Sequence, residues 1–431
     1  MNDPQPAPEP AAGPAPLSAG PWLAEHYPDH AGAVLLDGAE FADDAVGFYR
    51  EMRRQHGRVA PVLLGDVPAW FVLAYREVHM VTSNPGLFGR DSRRWNAWER
   101  IPEDWPLRSY LTWVPSIMFA EGAEHQRRAG AVGDALDAID RTELAAICER
   151  VADQLISGFA GTGEADLIAQ YAHQIPILVV ARLFGLPEAD TPALTRDIIQ
   201  SLNDGAEASE AHLRIYMRMM QLVKDKQESP GADVPSRMLA HPAGLTSDEV
   251  VFDLLIVVGG AQQPTGDWIG NTLRLMLIDD EFSLTLQGGR SSAAQALNEV
   301  LWKDSPILTG SRWAVQDCEL GGRRIRRGDM ILLGLGAANA DPQVHPGTFA
   351  DSGANRVHMS FGHGEHGCPF PAPELAEVIA RTAVEVLLDR IPDVELALPA
   401  GSLRWRPSTG ARGLSSLPVR FSPITRVGSA S

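Results

Sequence analysis

The chain has 431 residues, 45% of them hydrophobic, enough to bury a sizeable core in one large mixed domain. Its 55 acidic and 37 basic residues leave a net charge of -18, which argues against general binding to nucleic acid or to anionic membrane surfaces. Its 3 cysteines, Cys148, Cys318 and Cys368, are widely separated, which argues against a disulfide framework and fits a reducing cytoplasm.

Residues 1–20 are Pro/Ala-rich, open with no charged-then-apolar signal, and are expected to be a disordered leader to a single domain over residues 21–431. A helix is predicted over Ala45–His56, then two strand-like runs, Val59–Leu64 and Ala69–Ala74, divided by the Gly65-Asp66 turn signal. Residues 90–115 hold Trp95, Trp98, Trp105 and Trp113 among prolines and charges with weak periodicity, and read as a loop. Helical patterns follow over Thr142–Phe159 and Tyr171–Phe184. In the first, Cys148 lies among Leu144, Ile147, Val151 and Leu155, the surroundings of a core residue. Gln227–Pro235 is polar and proline-bearing, again a loop.

Thr246 and Glu249 then form a capping-box signal that opens a helix extending toward Asp279, about 50 Å long at the usual helical rise. Its first half is apolar on nearly every face and should be buried. The most apolar run, Val250–Ala261, contains Asp253 and is too short to span a bilayer, so a soluble protein without a membrane span is expected. Further on, Cys318 sits in a short strand-like run, and GGRRIRRGDMILL reads as a turn-linked pair of strands.

The most informative stretch is Phe361–Glu374, FGHGEHGCPFPAPE. Gly362, Gly364 and Gly367 allow close backbone approach around Cys368, and Pro373 suits the first position of a helix whose apolar residues Leu375, Val378, Ile379, Ala383, Val386 and Leu387 recur at helical spacing. The positive end of that helix would favour an anionic sulfur, a strong metal ligand.

Phe361, Gly362, Gly364, His366 and Cys368 match the heme loop of the cytochrome P450 family, Phe-Gly-x-Gly-x-His-x-Cys-x-Gly, which this stretch resembles. The resemblance implies a mainly α fold with small antiparallel β-sheets and heme b as cofactor. It makes Cys368 the iron ligand, Phe361 the aromatic packed beneath the heme and His366 a propionate partner. The final glycine is replaced by Phe370, and Pro369, lacking an amide hydrogen, removes one N–H donor to the sulfur, which should make the iron harder to reduce. His125, in EGAEHQRRAG, matches a propionate-binding histidine, though read alone it is an ordinary surface residue. The family's arginine four residues on is Ala129, and Arg128, about 100° round the helix, is expected to face solvent or a redox partner, with Arg127 beside it. Trp95 and Trp98 fall in the family's variable distal loop, either lining a substrate site or pinning a surface loop.

Two departures from the family pattern stand out. With Ile269-Gly270-Asn271 as anchor, the distal small pair is Gly260 and Ala261, but the acid and alcohol positions hold Gln263 and Pro264. In the family's monooxygenases those groups help deliver the protons that let dioxygen split. Pro264 should also kink the helix, and Thr265 could take the vacant role if the register shifted by one. In ALNEVLWKDSP the family's Glu-x-x-Arg pair becomes Glu299 and Trp302, a feature of a small group of soluble bacterial members, and Arg356 is the expected substitute cation. The pattern recovers at Arg312, matching a strand arginine that binds a propionate, where a solvated strand residue is the alternative. Ala338, Asn339, Asp341 and Pro342 and the C-terminal LSSLPVRF also fit.

The function so implied is a monooxygenase that inserts one oxygen atom into a small, largely apolar substrate with electrons from ferredoxin and ferredoxin reductase. Alternatives are peroxide-dependent, isomerase or dehydratase chemistry at the heme, or a heme-dependent sensor or assembly component.

Overall fold

The predicted central helix forms over Ser247–Ile278, 32 residues or about 48 Å, with Asp279 at its C-cap. The Thr246 hydroxyl accepts from Glu249 N and the Glu249 carboxylate accepts from Thr246 N at 2.8 Å, so the capping box is complete. The computed structural model describes residues 25–36, 41, 43–103, 105, 107–201, 206–279, 282, 293–345 and 355–424. The expected leader lies outside the described residues.

Helices Gln174–Leu183, Ala206–Glu228, Ala293–Lys303 and Ala372–Arg390 pack on the central helix, and the last of these also lies along Arg141–Phe159. Leu254, Ile269 and Leu273 of the central helix join Ile379, Ala383 and Leu387 in one core, with Cys148 buried among them. The Gln227–Pro235 loop is shorter than expected, because Asp233 accepts from Ser236 N and a helix starts at Val234 with Pro235 in its first turn. Among the described residues no helix is long and apolar enough to cross a membrane.

Helix Ala45–His56 forms with its predicted bounds and leads into the hairpin Val59–Leu64 and Val67–Val72, turned at Gly65 with φ 61°. The hairpin belongs to a sheet of 6 strands in the order Val34–Leu35, Val59–Leu64, Val67–Val72, Met330–Gly334, Thr309–Ala314 and Phe88–Gly89. The sheet is mixed: Met330–Gly334 runs parallel to Val67–Val72 and antiparallel to Thr309–Ala314. Side chains alternate along a strand, so Arg312 and Trp313 leave opposite faces, and Trp313 enters a second core with Phe71, Leu73 and Trp95. Of the expected pair in GGRRIRRGDMILL, Arg323–Ile325 instead pairs with Cys318–Leu320, while Met330–Gly334 joins the larger sheet.

Candidate active site

The Cys368 loop is tied at its base, where Cys368 N donates to Phe361 O at 2.8 Å. Gly364, with φ 73°, lies so close to Thr82 of helix Tyr75–Thr82 that a Cβ would sit 2.2 Å from the Thr82 carbonyl oxygen. The loop thus rests on a second helix, where His363 stacks on His79 with ring centroids 4.3 Å apart. The Phe361 ring meets Trp268 of the central helix edge-on at 5.8 Å. Cys368 remains exposed, yet enough protein crowds the sulfur that burial pushes its thiol up to about 12. A metal bound to the sulfur would favour its thiolate form.

A cluster of buried cations and ring nitrogens stands short of hydrogen-bond partners. Arg312 is 4% exposed, donates to the neighbouring Ser311 O at 2.9 Å, and among the described residues has no carboxylate within ion-pair distance. Burial first, then Arg90, lowers its pKa well below the ordinary value. The rings of His125 and His366 lie 4.2 Å apart, and His125 Nδ1 and His366 Nε2 lack hydrogen-bond partners. His366 is pushed down to about 2 by burial, then by His125, Arg312 and Arg90. Glu365 approaches His125 Nδ1 at 3.5 Å without a hydrogen bond. Buried cations in mutual repulsion, with unused donors, suit a ligand bearing carboxylates, which the propionates of heme b would supply. Arg90, absent from the sequence-based assignment, donates to Met118 O at 2.9 Å and Ser311 O at 3.0 Å and belongs to this cluster. Its place beside the Arg312 strand is a tertiary contact with no local signal.

On the central helix, Gly259 and Gly260 are exposed in a largely buried element, and a Cβ at either would meet nothing within 4 Å. They mark an open face. Gln263 and Pro264 flank it half-buried, while Thr265 is 3% exposed and lies about 140° round the helix from Gly260, away from that face. The helix continues through Pro264. Since proline has no amide hydrogen, the Gly260 carbonyl lacks its helical donor and offers an acceptor on the open side. Ala261 sits half-buried beside it.

Two expected partners require correction. Arg128 does not face solvent: it is 3% exposed, and its Nε and Nη2 bind the Asp253 carboxylate at 2.9 and 2.7 Å. Asp253 itself is 0% exposed, so an acid in the apolar central helix draws the arginine inward. Arg127 is engaged too, with Glu124 at 2.7 Å and with Glu249. Likewise Arg356 does not replace the missing arginine; it pairs with Glu377 at 2.7 Å. Glu299, 1% exposed, is instead met by Lys303 Nζ at 2.7 Å, one helical turn away, though without an aligned hydrogen bond.

Neutral groups support the Cys368 loop instead. Trp302 Nε1 and Asn298 Nδ2 both donate to Asn355 O, at 2.8 and 2.7 Å. Asn339 Nδ2 donates to Leu301 O at 3.0 Å while its Oδ1 accepts from Met359 N at 2.6 Å. Trp95 packs at 6.3 Å from Trp313 in the core beneath the sheet, and Trp98 lies 5.2 Å from Trp95. That is the packing of a segment pinned by its aromatics.

No protein-family model matches the chain. It is 31% identical over 405 residues to biflaviolin synthase CYP158A1 of Streptomyces coelicolor, covering 90% of this chain and 95% of that protein. It is 28% identical over 388 residues to the polyketide biosynthesis cytochrome P450 PksS of Bacillus subtilis, covering 88% and 95%. Among solved structures, CYP154C4 from Streptomyces sp. ATCC 11861 superposes with a TM-score of 0.81 at 26% identity, over 90% of this chain and 98% of that one. Likeness at 31% identity that runs the length of both proteins goes well beyond one loop motif: the chain belongs to the cytochrome P450 family, enzymes that use heme b.

Proposed function

We propose that the protein is a heme-thiolate monooxygenase acting on a small, largely apolar molecule in the cytoplasm, with electrons from ferredoxin and ferredoxin reductase. The observation that carries the reading is the buried Arg312 guanidinium, which faces no described carboxylate and stands with His125 and His366. Cys368 would bind the iron, Phe361 and Gly362 would support the ring, and Arg312, His125 and His366 would hold the propionates, with Arg90 orienting the strand that carries Arg312. The bound heme would supply the redox chemistry of oxygen insertion.

The remaining contributions belong to the chain. Gly260 would leave room for the cofactor, with Ala261 beside it, and the free Gly260 carbonyl would orient a water or substrate hydroxyl. Gln263 can hold a hydrogen bond there but cannot exchange a proton as a carboxyl group does. That composition favours, as a second reading, use of hydrogen peroxide, which brings both oxygen atoms and their protons together. Reconstitution with ferredoxin, its reductase and NADPH should give cofactor consumption that depends on an apolar substrate and matches product formed. Product with hydrogen peroxide but none with the ferredoxin system would replace the first reading by the second.

A further inference from the structure

The segment between Arg90 and Ile117, whose middle is packed into the core through Trp95 and Ile101, has each end gripped by a carboxylate. At the departing end, Glu121 Oε1 accepts from Arg90 N at 2.6 Å, Asp91 N at 2.9 Å and Arg94 Nη1 at 2.7 Å. At the returning end, Asp253 Oδ1 accepts from Ile117 N at 2.6 Å, while Arg128 donates to Pro115 O at 2.8 Å and to Asp253. Arg90 ties the ends together, donating from Nε to Met118 O at 2.9 Å and from Nη1 to Ser311 O at 3.0 Å. Ser311 adjoins Arg312.

The returning end differs from the departing one. Asp253 and Arg128 are 0% and 3% exposed, so their charges see little solvent and their geometry is fixed by each other. Asp253 also lies seven residues before Gly260 on the same helix, about 10 Å along its axis. A single helix therefore carries both the anchor of the segment and the open Gly259–Gly260 face.

We propose that Asp253 and Arg128 are positioning residues that fix the distance between the Pro115–Ile117 end of this segment and the Gly259–Gly260 face, and so set the size of a ligand seated between the two. The role rests on the heme-thiolate reading for its pocket, but the clamp itself is testable without it. Neither residue touches the reacting atoms; both act through Pro115 and Ile117.

The experiment compares the purified holoprotein with Asp253→Asn and with the double variant Arg128→Met/Asp253→Leu, which removes the clamp without stranding a buried charge. Hydrogen exchange of the Ile117 amide and its neighbours is read against amides of helix Ala372–Arg390. Binding of imidazole and of 4-phenylimidazole is read from visible absorption. The double variant should exchange at least tenfold faster at Ile117 with the control helix unchanged, and its preference between the two azoles should shift several-fold while imidazole affinity holds. Exchange at Ile117 equal to that of the parent, or raised equally throughout the chain, would overturn the clamp. Faster exchange with an unchanged azole preference would overturn its role in setting ligand size. A protein that binds no heme would remove the heme-thiolate reading and leave the exchange result to decide the clamp.

Discussion

Two regions that flank the central helix are held by opposite chemistry. Behind the Cys368 loop, where the family keeps an acid and an arginine, the contacts to the loop's base are neutral: Trp302 and Asn298 on Asn355 O, and Asn339 on Met359 N. On the distal side a fully buried ion pair, Arg128–Asp253, joins two helices and the segment between them. Neutral hydrogen bonds are individually modest and fail gradually, whereas removing half of a buried ion pair strands a charge. Of these two regions, rigid single-geometry positioning belongs to the Arg128–Asp253 pair, and the Cys368 loop relies on many smaller contacts.

That contrast is broken most severely at Asp253. Asp253→Ala leaves the Arg128 guanidinium buried without its partner and should cost about 3–5 kcal/mol in urea unfolding, whereas Arg128→Met/Asp253→Leu, which strands no charge but frees the Ile117 N–H, should cost less, about 1–3 kcal/mol. Next comes Asn339→Leu, which strands the buried Met359 N–H and should cost about 2–4 kcal/mol by the same measurement. Leu301 O keeps its bond from Ser360 Oγ, which limits the loss.

A smaller effect comes with a pH signature. Burial raises the Glu299 pKa, with Lys303 opposing it, so the folded state holds this proton to higher pH than the unfolded chain does. Stability from this group is full below the unfolded value and is lost as pH rises through the folded value. Lys303→Met removes the opposing cation, moves the folded value further up and deepens the loss. The penalty should be about 1 kcal/mol at pH 8, reduced by the partial exposure of Lys303, and close to nothing near pH 4. Denaturation at both pH values checks the sign. Smallest of all, Trp302→Phe keeps a ring beside His358 but deletes one of two donors to Asn355 O, for about 0.5–1 kcal/mol.

Much of the fold was legible because it depends on local signals. The bounds of Ala45–His56, the Thr246/Glu249 capping box and the burial of Cys148 follow from periodicity and end chemistry, and the glycines of the Cys368 loop from close approach. Partner choice was less legible. Helix geometry alone points Arg128 outward, off the face carrying His125, yet Asp253, an acid amid Val250–Ala261, is a visible sign that some cation must come inward. Arg356 was sought for Glu299 although Lys303 stood four residues away on the same helix. Arg90 gave no local sign at all, since its neighbours at Met118 and Ser311 come from distant parts of the chain.

The most direct measurement is the absorption spectrum of the purified protein reduced with dithionite under carbon monoxide, beside that of Cys368→Ala. A thiolate-type carbon monoxide band is expected in the parent and absent from the variant. A parent that takes up heme yet shows no such band, or a variant that keeps it, would contradict Cys368 as the iron ligand and with it the proposed arrangement of the site.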